Sequence, residues 1–127
     1  MFKFLKYILL LLVFAGCASK QPILSSSATI LLKTPTMKFY DKGFISKFKN
    51  YTQVQIFSAG TMILNLDIYK DKICKSTLEC ISSKSFNKEN LDTSYSDDFL
   101  KILFDKNDKR VVFRDKSKGI LIKITRD

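Results

Sequence analysis

The 127-residue chain contains no histidine, and that absence removes much of the chemistry open to a small protein. Ser-His-Asp and Cys-His arrangements for nucleophilic catalysis are excluded. The chain also lacks a Gly-x-Ser-x-Gly elbow, a phosphate-binding loop and a dinucleotide fingerprint. Cysteine is scarce, with three in the whole chain. Acidic residues are outnumbered, 12 against 22 Lys and Arg. The apolar run from Tyr7 to Gly16 would reach about 15 Å as a helix. A bilayer core needs about 30 Å, so this run is too short to serve as a permanent span.

What the amino terminus does have is the layout of an export signal. Lys3 and Lys6 give a positive start, Tyr7 to Ala15 is apolar, and small Gly16 precedes Cys17. The junction Phe14-Ala15-Gly16-Cys17 resembles a lipobox, where bacterial lipoproteins are diacylated on a cysteine and then cleaved before it. The resemblance implies that residues 1–16 are a signal peptide and that Cys17 is the lipidation site. It also explains the odd cysteine count. With Cys17 acylated, Cys74 and Cys80 remain, five residues apart, and in an oxidising envelope they are expected to form a disulfide. Closing so small a ring stabilises a fold by about 2 kcal/mol. A zinc site needs about four ligands, and two thiols without histidine do not supply them.

Removal of Met1–Gly16 leaves 111 residues, enough for one domain. The formal charge of +10 includes Lys3 and Lys6, so the mature chain carries about +8, a balance that favours anionic partners. Export makes nucleic acid a poor candidate and phospholipid head groups, lipopolysaccharide or acidic envelope polymers better ones. Nineteen of the 22 basic residues are lysine, and along the chain they are scattered rather than clustered. That scatter fits solvated positions and argues against a dedicated polybasic site.

Residues 17–27, with Pro22 and several serines, form the expected tether, and residues 28–127 the single folded domain. Period-two alternation predicts strands over Thr29–Leu32, Tyr51–Phe57 and Thr61–Tyr69, the last with Met62, Leu64, Leu66 and Ile68 on one face. Met37–Tyr40 and Phe44–Phe48 are expected as a hairpin turned by Asp41-Lys42-Gly43. A short strand should end at Cys74, and Arg110–Arg114 and Ile120–Thr125 should form a closing hairpin. Asn87 is placed to cap one helical turn through Leu91. Ser96 is placed to cap a helix from Asp97 to about Phe104, with Phe99, Ile102 and Leu103 on its apolar stripe. The expected fold is α+β: a curved antiparallel sheet of five to seven strands with one short amphipathic helix packed on it.

Asp67, Asp71, Glu79 and Glu89 are the carboxylates from which a hydrolytic pair could be drawn, but strand edges and loops account for them better. Asp97 and Asp98 suit a helix start. No catalytic residue, cofactor or metal site is expected, and the chain reads as a non-enzyme. Eleven phenylalanines and many Ile and Leu residues either fill an ordinary core or leave part of a curved sheet open to acyl chains.

The segment Phe57-Ser58-Ala59-Gly60-Thr61-Met62-Ile63-Leu64-Asn65-Leu66-Asp67-Ile68-Tyr69 looks like the glycine, alternating strand and short turn of outer-membrane lipoproteins of the lipoprotein-localisation class. That class comprises LolA-like carriers and LolB-like receptors. The order Phe86–Leu91, Ser96–Phe104, then the closing strands is similar too, so the likeness covers about half the chain. It implies an unclosed sheet lidded by helices that shelters acyl chains. It implies no particular functional residue. Ala18, in place of the aspartate that often marks inner-membrane retention, implies delivery to the outer membrane; the periplasmic side is the expected orientation, which the sequence itself does not decide. Two functions follow as expectations: binding or handing on lipid or lipidated protein through an apolar sheet face, or docking as a small structural or assembly lipoprotein onto an envelope protein complex. A concave apolar opening would favour the first, and a filled core with a basic or apolar outer patch the second.

Overall fold

The computed structural model describes residues 3–5, 7–8, 21–75 and 78–127. Cys17 and most of the export segment lie outside them. The rest is one antiparallel sheet of eight strands with two short helices on one face. The strands are β1 (Leu24–Lys33), β2 (Lys38–Lys47), β3 (Thr52–Ser58), β4 (Thr61–Ile68), β5 (Lys72–Cys74), β6 (Cys80–Ser82), β7 (Arg110–Asp115) and β8 (Ile120–Arg126). Helix α1 spans Ser83–Asn90 and α2 spans Phe99–Asp105. The spatial order is β6-β5-β4-β3-β2-β1-β8-β7. Six strands meander outward in reverse chain order, and the C-terminal hairpin returns to pair β8 with β1. The sheet is open, with β6 and β7 as its edges.

The strand count exceeds the expected five to seven because β6, beyond the cysteine loop, pairs back onto β5. Strand β1 also begins at Leu24, so Leu24–Ser27 belong to the sheet rather than the tether, pairing with Phe44–Lys47. The expected turn at Asp41-Lys42-Gly43 is absent. The chain runs straight through it in β2, and the β1–β2 hairpin turns instead at Thr34–Met37. There Thr34 N donates to Met37 O at 2.8 Å, and Thr34 Oγ1 accepts from Met37 N at 3.0 Å. Gly43 serves close approach, not φ. A Cβ placed on it would lie inside the van der Waals envelope of the Gln55 carbonyl oxygen and 3.1 Å from Ile30 Cδ1. The β3–β4 turn does use positive φ, at Ala59 (50°) and Gly60 (80°), the two-residue form that matches strand twist.

Alternation sends every second side chain to the helix side. Ala28, Ile30 and Leu32 of β1 lie beside Ile122 and Ile124 of β8; across β2, Val54 and Ile56 of β3 lie beside Leu64, Leu66 and Ile68 of β4. Helix α1 packs against β5 and β6, and α2 against β3. Fully buried Phe86 and Phe104 drive one ring from each helix into the core. Nineteen apolar residues make one continuous buried cluster, so the helix side of the sheet is filled.

Both helices begin later or earlier than the sequence implies. Ser82 caps α1, its Oγ accepting from Ser85 N at 3.1 Å, while Asn87 sits inside the helix and donates to Ser96 O at 2.9 Å. Helix α2 starts at Phe99, whose N–H donates to Ser96 O at 3.0 Å. Its buried stripe is Leu100, Leu103 and Phe104, leaving Ile102 52% exposed. Lys47 of β2 donates to Asp105 O and Asn107 Oδ1, and Thr52 of β3 donates to Asp105 Oδ1, so the end of α2 is tied to the sheet.

Candidate functional site

Cys74 and Cys80 are joined, with sulfurs 2.04 Å apart. They face each other directly across β5 and β6. Lys75 N donates to Glu79 O and Ser83 N to Asp71 O, both at 2.9 Å, which puts the cysteines at a non-hydrogen-bonded position of the ladder, where Cα atoms approach most closely. Their Cα separation is 4.0 Å, tighter than the usual range of about 4.4–6.8 Å. Cys74 is buried and Cys80 exposed, and the bond pins the short β6 strand from which α1 starts.

The acidic residues singled out in the sequence fall in three places. Asp67 accepts from Gln53 Nε2 at 3.0 Å on a strand surface. Glu79 and Glu89 line an open hollow of about 330 Å³ between the cysteine loop and α1. Asp71, Asp97 and Asp98 share an open hollow of about 500 Å³ with Lys70. Among the described residues no group of three or more side chains could hold a metal ion. Asp115 accepts from Tyr95 Oη at 2.6 Å and Ser117 Oγ at 2.9 Å. The Tyr95 bond, then that of Ser117, holds its carboxyl below the usual range. Burial, then the Asp115 bond, pushes the Tyr95 phenol well above its ordinary value. Tyr95 also packs with Phe99 and Phe113 at centroid distances of 4.6 and 5.7 Å, which makes this a structural cluster locking α2 to β7.

Among the described residues of the folded domain, both helices lie on one side of the sheet, and the other face is left to the strands. On its β2-β1-β8-β7 half the register aligns three rows of side chains. The first is Lys38, Lys33, Leu121 and Arg114; the second Tyr40, Leu31, Lys123 and Val112; the third Lys42, Thr29, Thr125 and Arg110. Six of these twelve positions are cationic and none is acidic. Strands lie about 4.8 Å apart and alternate residues about 6.8 Å, so the twelve Cα atoms cover about 14 by 14 Å of the sheet surface. Tyr40 is 67% and Val112 48% exposed, with Leu31 and Leu121 half-buried between the lysine stems. Asp127 borders the patch, accepting from Lys42 Nζ at 3.0 Å and Ser27 Oγ at 2.8 Å. Those bonds, Lys42 first, lower its carboxyl pKa. At the far end Lys33, Arg114, Lys116, Gly119, Ile120 and Leu121 line an open hollow of about 260 Å³.

The β3-β4-β5 half of this face has another character. Gln53, Gln55, Asn65 and Asp67 line it, and Phe48, Tyr51 and Tyr69 stack at 4.7 and 5.0 Å under Lys72, whose Nζ lies 4.6 Å from the Tyr69 centroid. Burial, then Asp67 and Tyr69, raises the Tyr51 phenol pKa. The basic charge is therefore concentrated on one half of the open face. Lysines scattered along the chain become a patch once β7 and β8 are folded beside β1 and β2, which corrects the expectation of no polybasic site.

No protein family model matches the chain, and comparison with curated proteins and with solved structures likewise gives no match. Among the described residues no helix is long and apolar enough to cross a membrane.

Proposed function

We propose that this chain is a membrane-anchored envelope lipoprotein without catalytic activity, held by lipid on Cys17, that works by docking through the open face of its sheet. The observation that carries this reading is the asymmetry of the two faces. The helix side is filled by a continuous apolar core, whereas the other side presents six cations among twelve aligned positions with no acid. The filled core favours docking over the sheltering of acyl chains, since the hollows beside the helices, about 500, 330 and 140 Å³, are open, and charged residues line the largest. The export layout and the lipobox likeness of Phe14–Cys17 support the anchor, and the disulfide suits an oxidising envelope. Ala18 supports outer-membrane delivery.

Two experiments test the two halves of this reading. Labelled palmitate should mark the wild type and not Cys17→Ala, and the variant should leave the membrane fraction; equal labelling would refute the anchor. A photo-crosslinking residue at Tyr40 or Val112 should capture envelope components in intact cells, whereas one at Ile102 on α2 should not. Equal capture from both sides of the sheet would refute docking through the open face.

A further inference from the structure

We infer that the occupant of the basic half-face is the head-group layer of anionic phospholipid, with a lipid phosphate seated among Lys33, Arg114 and Lys116. This deepens the docking reading above and rests on it. The charge is arranged in two dimensions. Four adjacent strands each contribute at least one outward cation, giving a plane of charge rather than a line or a point. A bilayer surface is itself a plane of phosphates, whereas an acidic peptide would cover one row. Five cations remain once Lys42 is set against Asp127. Each basic residue brought to an anionic surface strengthens partitioning about fivefold, so five contribute on the order of 10³-fold before screening.

The side chains between the cations fit the same surface. Tyr40 is exposed, with a ring that can enter the interface and a hydroxyl that stays at head-group level. Val112, Leu31 and Leu121 supply shallow apolar contact, and lysine stems can lie along such residues while their ammonium groups stay in the polar layer. The hollow at the edge of the patch is lined by three cations together with Gly119, Ile120 and Leu121, a mixture of charge and apolar surface that suits a phosphate ester joined to glycerol.

The anchor brings the face within range. Seven residue steps separate Cys17 from Leu24, where β1 begins. At about 3.3–3.6 Å each they reach about 25 Å. Strand β1 then runs directly into the patch through Thr29, Leu31 and Lys33. A tether this short makes the second contact intramolecular, so a weak face affinity is enough to hold the sheet flat on the bilayer.

The chain has no tryptophan, so one introduced residue gives an unambiguous signal. The acylated protein, purified from membranes, is added to vesicles of phosphatidylcholine alone or mixed with phosphatidylglycerol, with bromine on the acyl chains as quencher. Val112→Trp should be quenched in the mixed vesicles and not in phosphatidylcholine, and Ile102→Trp in neither. Quenching should be lost at about 0.5 M salt, where screening is short-ranged. The pair Lys33→Glu and Arg114→Glu should also abolish it, with an unchanged thermal midpoint showing that the variant is folded. If that variant is destabilised, Lys33→Gln with Arg114→Gln replaces it, with reduced quenching as the expected result. Flotation separates the two readings. Protein that floats with phosphatidylcholine is anchored whether or not its face lies down. If it floats while Val112→Trp stays in water in both vesicles, the lipid assignment fails, the docking reading stands, and the face belongs to an acidic protein. Equal quenching in both lipids would overturn the assignment as well. Salt-sensitive quenching with phosphatidylglycerol and no flotation with phosphatidylcholine would uphold the face and overturn the anchor.

Discussion

Gly43→Ala should be among the most destabilising single-methyl changes this fold can suffer. Gly43 lies buried mid-strand in β2, paired with Ala28 on one side and Ile56 on the other. The added carbon would overlap the Gln55 carbonyl oxygen, a backbone atom held in the β2–β3 ladder, and would sit 3.1 Å from both Gln55 C and Ile30 Cδ1. A flexible side chain could swing away, but a laddered carbonyl cannot move without separating β2 from β3. Overpacking of this kind costs about 3 kcal/mol, the upper part of the usual range. For a domain near 100 residues that lowers the thermal midpoint by about 15 °C. Gly60→Ala is the informative control. It adds the same methyl at φ +80° with nothing within 4 Å, so only backbone strain opposes it, about 1 kcal/mol. Urea denaturation of both variants decides the matter. Equal midpoints for the two, or Gly43→Ala within 0.5 kcal/mol (about one third of a tenfold step) of wild type, would refute the close-approach argument.

Replacing Cys74 and Cys80 together by serine should lower stability by about 2 kcal/mol and leave the sheet formed, measurable by urea titration; non-reducing peptide mapping of envelope-extracted protein should recover the Cys74–Cys80 peptide, and two free thiols would count against it. The Tyr95–Asp115 bond predicts two pH limits. Asp115, lowered in the fold, contributes stability that is complete above its ordinary pKa of 3.8 and lost as pH falls below it; Tyr95, raised in the fold, contributes below 10 and loses that contribution as pH rises further. Tyr95→Phe should shrink both shoulders of the thermal-midpoint profile, and an unchanged profile would show that the bond does not matter in solution. Density fractionation should place the wild type with outer-membrane markers, and co-migration with the inner membrane would overturn the sorting inference from Ala18.

The strands that alternate cleanly were legible because both of their neighbours are local. Thr61–Ile68 and Thr52–Ser58 form a hairpin around Ala59-Gly60, so period and turn residues agree. The β7–β8 pair is legible from its own alternation and the turn at Gly119, although the other neighbour of β8 is the distant β1. Gly43 misled because a glycine after Asp-Lys is the sign of a hairpin turn, and that sign cannot be told locally from a glycine demanded by a neighbouring carbonyl. The tether residues Leu24–Ser27 carry no apolar alternation, yet they are strand because β2 is long enough to pair with them. Strand β6 is three residues long, too short for any period, and its pairing runs directly on from the disulfide. The buried stripe of α2 is Leu100, Leu103 and Phe104 rather than Phe99, Ile102 and Leu103; both sets have the three-and-four spacing, and only packing against the sheet chooses between them.

The candidate site was illegible for a different reason, and the reason bears on how the surface works. Each outward strand of the patch carries one or two cations: Lys33 on β1, Lys38 and Lys42 on β2, Lys123 on β8, Arg110 and Arg114 on β7. No single strand is polybasic, and a local window finds only the alternation of an ordinary solvated face. The patch exists because β8 closes against β1, pairing Lys33 with Leu121 and Leu31 with Lys123. That pairing is set on the other side of the sheet, where Ile122 and Ile124 meet Leu32 and Ile30 in the buried core. A one-residue slip of β8 would turn its isoleucines outward and its lysine inward, so core packing fixes the register of the charges as firmly as that of the apolar residues. The surface is thus presented on a scaffold that cannot rearrange its cations separately, and replacing one lysine should subtract charge without moving the others. A stepwise, additive loss of anionic-surface affinity across Lys38→Gln, Arg110→Gln and Lys123→Gln is the expected signature. Complete loss from one of these substitutions would point instead to a single specific contact.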